Sequence, residues 1–159
     1  MTAAAGETGA AVRFPFPPLL FALPLVAALA VQRWVSPLDM PDQGWITVVG
    51  IVLTVAGVAL GVAGVTTVVR HHTTVVPHHP VARLVTAGPY RITRNPMYAG
   101  FALAYLGVTL WVGTWWPLIL LPICVLGTDR LVIAAEEDYL GRRFGTDYER
   151  YRSTVRRWL

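Results

Sequence analysis

Apolar residues in this chain run in long blocks rather than in strict alternation. From Trp45 to Val69 there are 25 residues without a charge, enough for a helix to cross the hydrocarbon core of a bilayer. Gly50, Gly57, Gly61 and Gly64 lie along this block, and Gly57 with Gly61 forms a GxxxG pair that admits a second helix at close range. The pair suits a dimer contact or packing within one subunit, and packing within the subunit is the preferred reading. An earlier block, 17–35, is interrupted by Pro24. Arg13 ahead of it and Ala28-Leu29-Ala30 near its end give it features of a secretory signal, but the prolines crowding its start favour a span. Two further blocks, 96–113 and 115–135, flank Thr114-Trp115-Trp116-Pro117, a suitable interfacial tip because indole rings settle at that depth.

The pattern therefore predicts an all-α, polytopic integral membrane protein with a single membrane domain over 1–159. Four transmembrane helices are expected at 17–35, 45–69, 96–113 and 115–135, the last two forming a helical hairpin. A loop over 70–95 and an amphipathic tail over 136–159 complete it. In the tail, Leu140, Phe144, Tyr148, Tyr151, Val155 and Trp158 recur every three or four residues, the spacing of one helical face. Phe144-Gly145 reads as a helix stop and Thr146 with Glu149 as a capping box. Such a tail either lies on the membrane surface or folds back as the wall of a site.

Composition sharpens this picture. Hydrophobic residues make up 55% and charged residues 14%, against about 25% charged in an ordinary soluble domain. The net charge is +4, but long uncharged runs argue against a nucleic-acid partner. All 13 basic residues are arginines, and four crossings would put every one except Arg33 on the same side. The positive-inside rule makes that side, with both termini, cytoplasmic, as in a bacterial-type inner or plasma membrane. The single cysteine, Cys124, stands in an apolar run and reads as a buried structural thiol.

Between the second and third blocks stands GPYRITRNPMYAG, residues 88–100. Asn95 followed by Pro96 is a helix start, with asparagine at the N-cap and proline at the first helical position. The free N–H groups of such an end attract a carboxylate or phosphate, and Arg91 and Arg94 add full charges. Gly88-Pro89 turns the chain so that Tyr90 comes near. Tyr98, Phe101, Tyr105 and Thr109 share a helical face below. Glu136-Glu137-Asp138 follows the fourth block on the same side, with Asp129 and Arg130 slightly deeper, where ionisable groups are functional candidates. Cationic groups at one end, acids at the other and aromatics between suit a zwitterionic cofactor such as S-adenosylmethionine.

GPYRITRNPMYAG, followed from Glu136 by EEDYLGRRFGTDYERYRSTVRRW, resembles the isoprenylcysteine carboxyl methyltransferase and phospholipid methyltransferase superfamily of membrane enzymes. Its signatures, GPY…R(H/N)PxYxG and EExxLxxxFGxxYxxY, stand nearly complete, and the resemblance covers about residues 66–159. It implies an S-adenosylmethionine site lined by Tyr90, Asn95, Pro96, Tyr98, Gly100, Glu136 and Glu137, with Arg94 and Arg130 as catalytic candidates. Tyr105, His72 and Arg130 are candidates for the substrate side. Asn95 replaces the histidine of many members, so no proton-carrying role is available there at neutral pH. The acceptor implied is lipophilic and reaches the site from the bilayer, among membrane lipids; a prenylated thiol or carboxylate and a phospholipid amine both fit.

His71, His72, His78 and His79 invite a metal reading, but no cysteine or carboxylate spacing accompanies them, and no metal is expected. Two other functions keep some support from the sequence. Membrane sterol reductases have a related C-terminal architecture and use NAD(P)H, although the paired glutamates favour a cationic cofactor. A non-catalytic membrane scaffold would rest on the GxxxG pair alone.

Overall fold

The computed structural model describes residues 16–41, 43–72 and 81–159; Arg13, His78 and His79 lie outside them. Among the described residues the chain is all helical. Helix α1 is Leu19–Trp34, α2 is Gly44–Arg70 and α3 is Pro96–Val112. Helix α4, Trp115–Thr128, passes through a π-helical turn, Asp129–Ile133, into α5, Ala134–Phe144, and α6 is Thr146–Thr154. The stretch from α4 to α5, Trp115–Phe144, and α2 are the two helices long and apolar enough to cross a membrane, while α1 and α3 are apolar but shorter.

Close backbone approach joins α2 to α3, the most extensive helix pair of the fold. A Cβ built on Gly57 would lie 2.6 Å from the Gly100 carbonyl and closer still to the Ala104 nitrogen, and one on Gly100 would lie 2.6 Å from the Gly57 carbonyl. Gly50 and Gly107 repeat the arrangement further along. Absent side chains bring the two backbones into van der Waals contact, a large surface gain from small residues. The GxxxG pair thus serves packing within the subunit.

Helix α3 ends where Gly113 adopts φ 72° and donates its N–H to Thr109, a left-handed cap that glycine adopts without a Cβ penalty. The α1–α2 connection fastens onto this turn. Met40 N donates to the Gly113 carbonyl at 2.7 Å, Trp115 N to Leu38 at 3.0 Å, and Thr114 Oγ1 to Gln32 Oε1 at 2.8 Å. Phe21 of α1, Tyr105 of α3 and Cys124 of α4 form one buried cluster. Tyr98, Val132, Ile133 and Tyr139 form another, against which Trp158 packs.

The tail does not lie apart. Gly145, at φ 50°, breaks α5 from α6, and Tyr148 and Tyr151 are buried. The expected capping box is absent: Gly145 takes the N-cap position, Thr146 is already helical, and Glu149 pairs with Arg152 at 3.7 Å. Beyond Thr154 the chain runs extended as a strap beside the start of α3, where Arg156 pairs with Thr93 in parallel.

Candidate cofactor site at the polar end of the bundle

The site is built where the turn before α3 meets α5 and the strap. Gly88, at φ 59°, opens the short 3-10 turn Gly88–Arg91, which buries Tyr90 against Val68 and Val85. The Tyr151 hydroxyl donates to the Tyr90 carbonyl at 2.7 Å. Burial pushes the hydroxyls of Tyr90, Tyr148 and Tyr151 up, Tyr148 to about 12, so all three keep their protons at neutral pH.

Three residues after this turn, Arg94 meets Glu137: Nη2 to Oε1 is 3.1 Å, and both side chains are 9% exposed. Tyr98, in the first turn of α3, donates its hydroxyl to Glu136 Oε1 at 2.8 Å. Two side chains from the polar segment thus join two consecutive glutamates of α5. The π turn precedes these glutamates, and such turns recur at functional sites.

The strap contributes what sequence reading missed. Arg157 binds both oxygens of Glu137, through Nε at 3.1 Å and through Nη2, and Asp129 through Nη1 at 3.1 Å and 3.2 Å. Hydrogen bonding to Glu137 raises the pKa of Arg157 against the opposing effect of burial, so it stays charged. Trp158 Nε1 donates to Asp129 at 3.1 Å. The Arg157 carbonyl accepts from Thr93 Oγ1 and Asn95 Nδ2, each at 3.0 Å, and Arg94 N donates to the Arg156 carbonyl at 2.8 Å.

Several expectations change in this light. Asn95 and Pro96 hold the N-cap and first helical positions, but the Asn95 side chain makes no cap hydrogen bond and turns to the strap instead. Asp129 pairs with Arg157; Arg130 is exposed and forms no ion pair among the described residues. Gly100 faces α2 in the glycine seam, where its role is packing. Tyr105 belongs to the separate Phe21–Cys124 cluster. His72 is exposed at the end of α2, with φ 50°, and no hydrogen bond or ion pair joins it to the charged cluster among the described residues. Arg94, Tyr98, Glu136 and Glu137 come together directly and Asn95 through the strap, while Tyr90 packs with Val68 and Val85 and bonds Tyr151.

One feature of the cluster points to a ligand. Among the described residues, Arg94 spends only Nη2 on Glu137, while its Nε and Nη1 are buried without a partner. Buried donors left unpaired cost about 1–3 kcal/mol, and a carboxylate supplies such donors with charge-assisted acceptors. The amino-acid head of S-adenosylmethionine carries such a carboxylate, so the residues present fit that cofactor.

An all-helical bundle of apolar helices with a charged cluster at one end defines a class of membrane protein. The sequence model for phospholipid methyltransferase matches residues 45–147, well over half of the chain, and the protein belongs to that family of membrane methyltransferases. An uncharacterized protein from Haemophilus influenzae is 41% identical over 63 residues, covering 40% of this chain and all of that protein. The protein-S-isoprenylcysteine O-methyltransferase of Schizosaccharomyces pombe is 36% identical over 72 residues, covering 45% of this chain and 30% of that enzyme. No solved structure matches. These similarities favour methyl transfer over the reductase and scaffold readings.

Proposed function

We propose that the protein is an integral membrane methyltransferase that uses S-adenosylmethionine to methylate a lipophilic acceptor at the cytoplasmic face. The carrying observation is the convergence of the two sequence motifs through Arg94–Glu137 and Tyr98–Glu136, beside two buried donors of Arg94 that no described residue pairs. The cofactor supplies an electrophilic methyl group when bound. The protein's own contribution is placement: the unpaired donors of Arg94 receive the carboxylate, and Tyr98 orients Glu136. The carboxyl groups on α5 favour a cationic ligand. Positioning of this kind contributes about 7–11 kcal/mol to bimolecular reactions. Arg130, exposed near the same end, is suited to an anionic group on an acceptor or lipid.

In this reading α1, α2, α3 and α4 continued through the π turn each cross the membrane, with both termini cytoplasmic. At 1.5 Å per residue α1 and α3 are about 24 and 26 Å long, somewhat below a core of about 30 Å, a mismatch that local thinning accommodates. Exposed Val48, Val52, Val55, Val58 and Val62 on α2 face lipid.

Calorimetric titration of the detergent-purified protein with S-adenosylmethionine, S-adenosylhomocysteine and NADPH tests the cofactor. Micromolar binding of the adenosyl ligands, lost in Arg94→Gln, supports the proposal. Binding of NADPH alone, or of none of the three, refutes it.

A further inference from the structure

Arg157 lies beyond the family match at 45–147, and the function proposed above gives it no part. Its geometry toward Glu137 is nevertheless specific. Carboxylates and guanidiniums prefer a two-pronged pairing, with two parallel N–H···O bonds. Glu137 makes that pairing with Arg157, through Nε and Nη2, and offers Arg94 only Oε1. Among the described residues the Arg94 side chain is therefore held by one nitrogen, with Nε and Nη1 buried and unpaired. Without Arg157, both oxygens of Glu137 would be available to the Arg94 fork, and the two would close on each other.

The geometry points to Arg157 as a positioning residue: by engaging both oxygens of Glu137, it keeps Arg94 half-paired and leaves its remaining donors unspent for the carboxylate of the ligand. Three anchors keep Arg157 in place. Asp129 binds its far nitrogen, Thr93 and Asn95 bind its carbonyl, and Trp158 packs beside Tyr98, Val132, Ile133 and Tyr139. Arg157 touches no part of the ligand in this scheme. It acts through Glu137 on Arg94, so its effect is confined to the anionic end of whatever binds. This inference rests on the cofactor reading above and deepens it.

The test compares S-adenosylmethionine with its decarboxylated form, which lacks only the carboxylate, by calorimetry on the full-length protein in detergent. Wild type is expected to prefer the carboxylated form, and Arg157→Gln to lose about tenfold of that preference, as when charge-assisted hydrogen bonds are forfeited. Binding of the decarboxylated form should barely change. Trp158→Phe removes a tail hydrogen bond to Asp129 without touching Glu137. It should retain the wild-type preference even if its melting temperature drops.

An unchanged preference in Arg157→Gln overturns the inference and leaves the cofactor reading intact. The same follows if Trp158→Phe erases the preference equally, because loosening the tail would then suffice. Equal binding of both forms by wild type overturns it as well, since Arg94 would not be reading a carboxylate. Failure of wild type to bind either form sinks the cofactor reading and the inference with it.

Discussion

The glycine seam between α2 and α3 permits a test within a single motif, because its two glycines have unlike surroundings. A methyl group on Gly57 would sit 2.6 Å from the Gly100 carbonyl, where ordinary contact begins at 3.4 Å. The helices must therefore part by at least about 0.8 Å, the difference between those two distances, since the Ala104 nitrogen lies closer still. Both obstructing groups are backbone, so no rotamer change relieves the clash. Overpacking of this kind costs about 1–3 kcal/mol, and the rigid surroundings place Gly57→Ala at the upper end. Better helix propensity returns about 1 kcal/mol, leaving a net loss of about 2 kcal/mol from these two terms. A methyl group on Gly61 meets nothing within 4 Å, so Gly61→Ala should be neutral or stabilising by up to about 1 kcal/mol. Unfolding titrations in mixed micelles should show an early midpoint for Gly57→Ala and an unchanged or later one for Gly61→Ala. Equal effects of the two substitutions, or a change of oligomeric state in Gly61→Ala, would refute the assignment of this motif to packing inside the subunit.

Two further outcomes follow from the charged end of the bundle. Glu137→Gln removes the carboxylate shared by Arg94 and Arg157, and stranding buried charges should cost about 3 kcal/mol, read as a lower melting temperature; an unchanged melt would show that the pair is not a structural element. Tyr148 is raised from 10 to about 12, and Tyr90 and Tyr151 are raised further. The folded state therefore holds these protons more tightly than the unfolded one, and stability present below pH 10 should fall as pH climbs toward 12. Tyrosinate absorbance recorded alongside unfolding should show these groups ionising only as the fold is lost; ionisation in the intact protein near pH 10 would contradict the burial described.

Local chemistry made much of the architecture readable. Long uncharged runs marked the helices, and Asn95-Pro96 marked the start of α3, because proline fits a first helical turn. Arg94, Tyr98, Glu136 and Glu137 stood in motifs whose resemblance indicated a shared site. Reading failed where the decisive partner lay far along the chain. Asn95 is the right residue for a cap, but the Arg157 carbonyl, 62 residues away, takes its side chain. Asp129 and Arg130 are neighbours in sequence, yet successive residues on a helix point in different directions, and Asp129 found Arg157 instead. Arg157 itself is one of seven arginines from Arg130 onward, and no local spacing distinguishes it. Gly100 carries the right letter for the family signature, but only the packed helices show that it faces α2.

The π turn at Asp129–Ile133 gives the long helix two independent phases. An α-helix advances about 100° per residue, and a π turn accommodates one residue more than the α pattern does. The apolar ridge of α4 and the polar ridge of α5 therefore need not obey a common periodicity, so one continuous rod can meet hydrocarbon along one azimuth and the strap along another. Deleting one residue from the α-helical stretch between this turn and the glutamates would remove almost nothing from the composition, yet it would swing the glutamates by roughly a quarter of a revolution. Tyr98 and Arg94 would then face the wrong side of the helix. For this protein, the number of residues between the membrane-facing half and the charged half is itself a specification of the site.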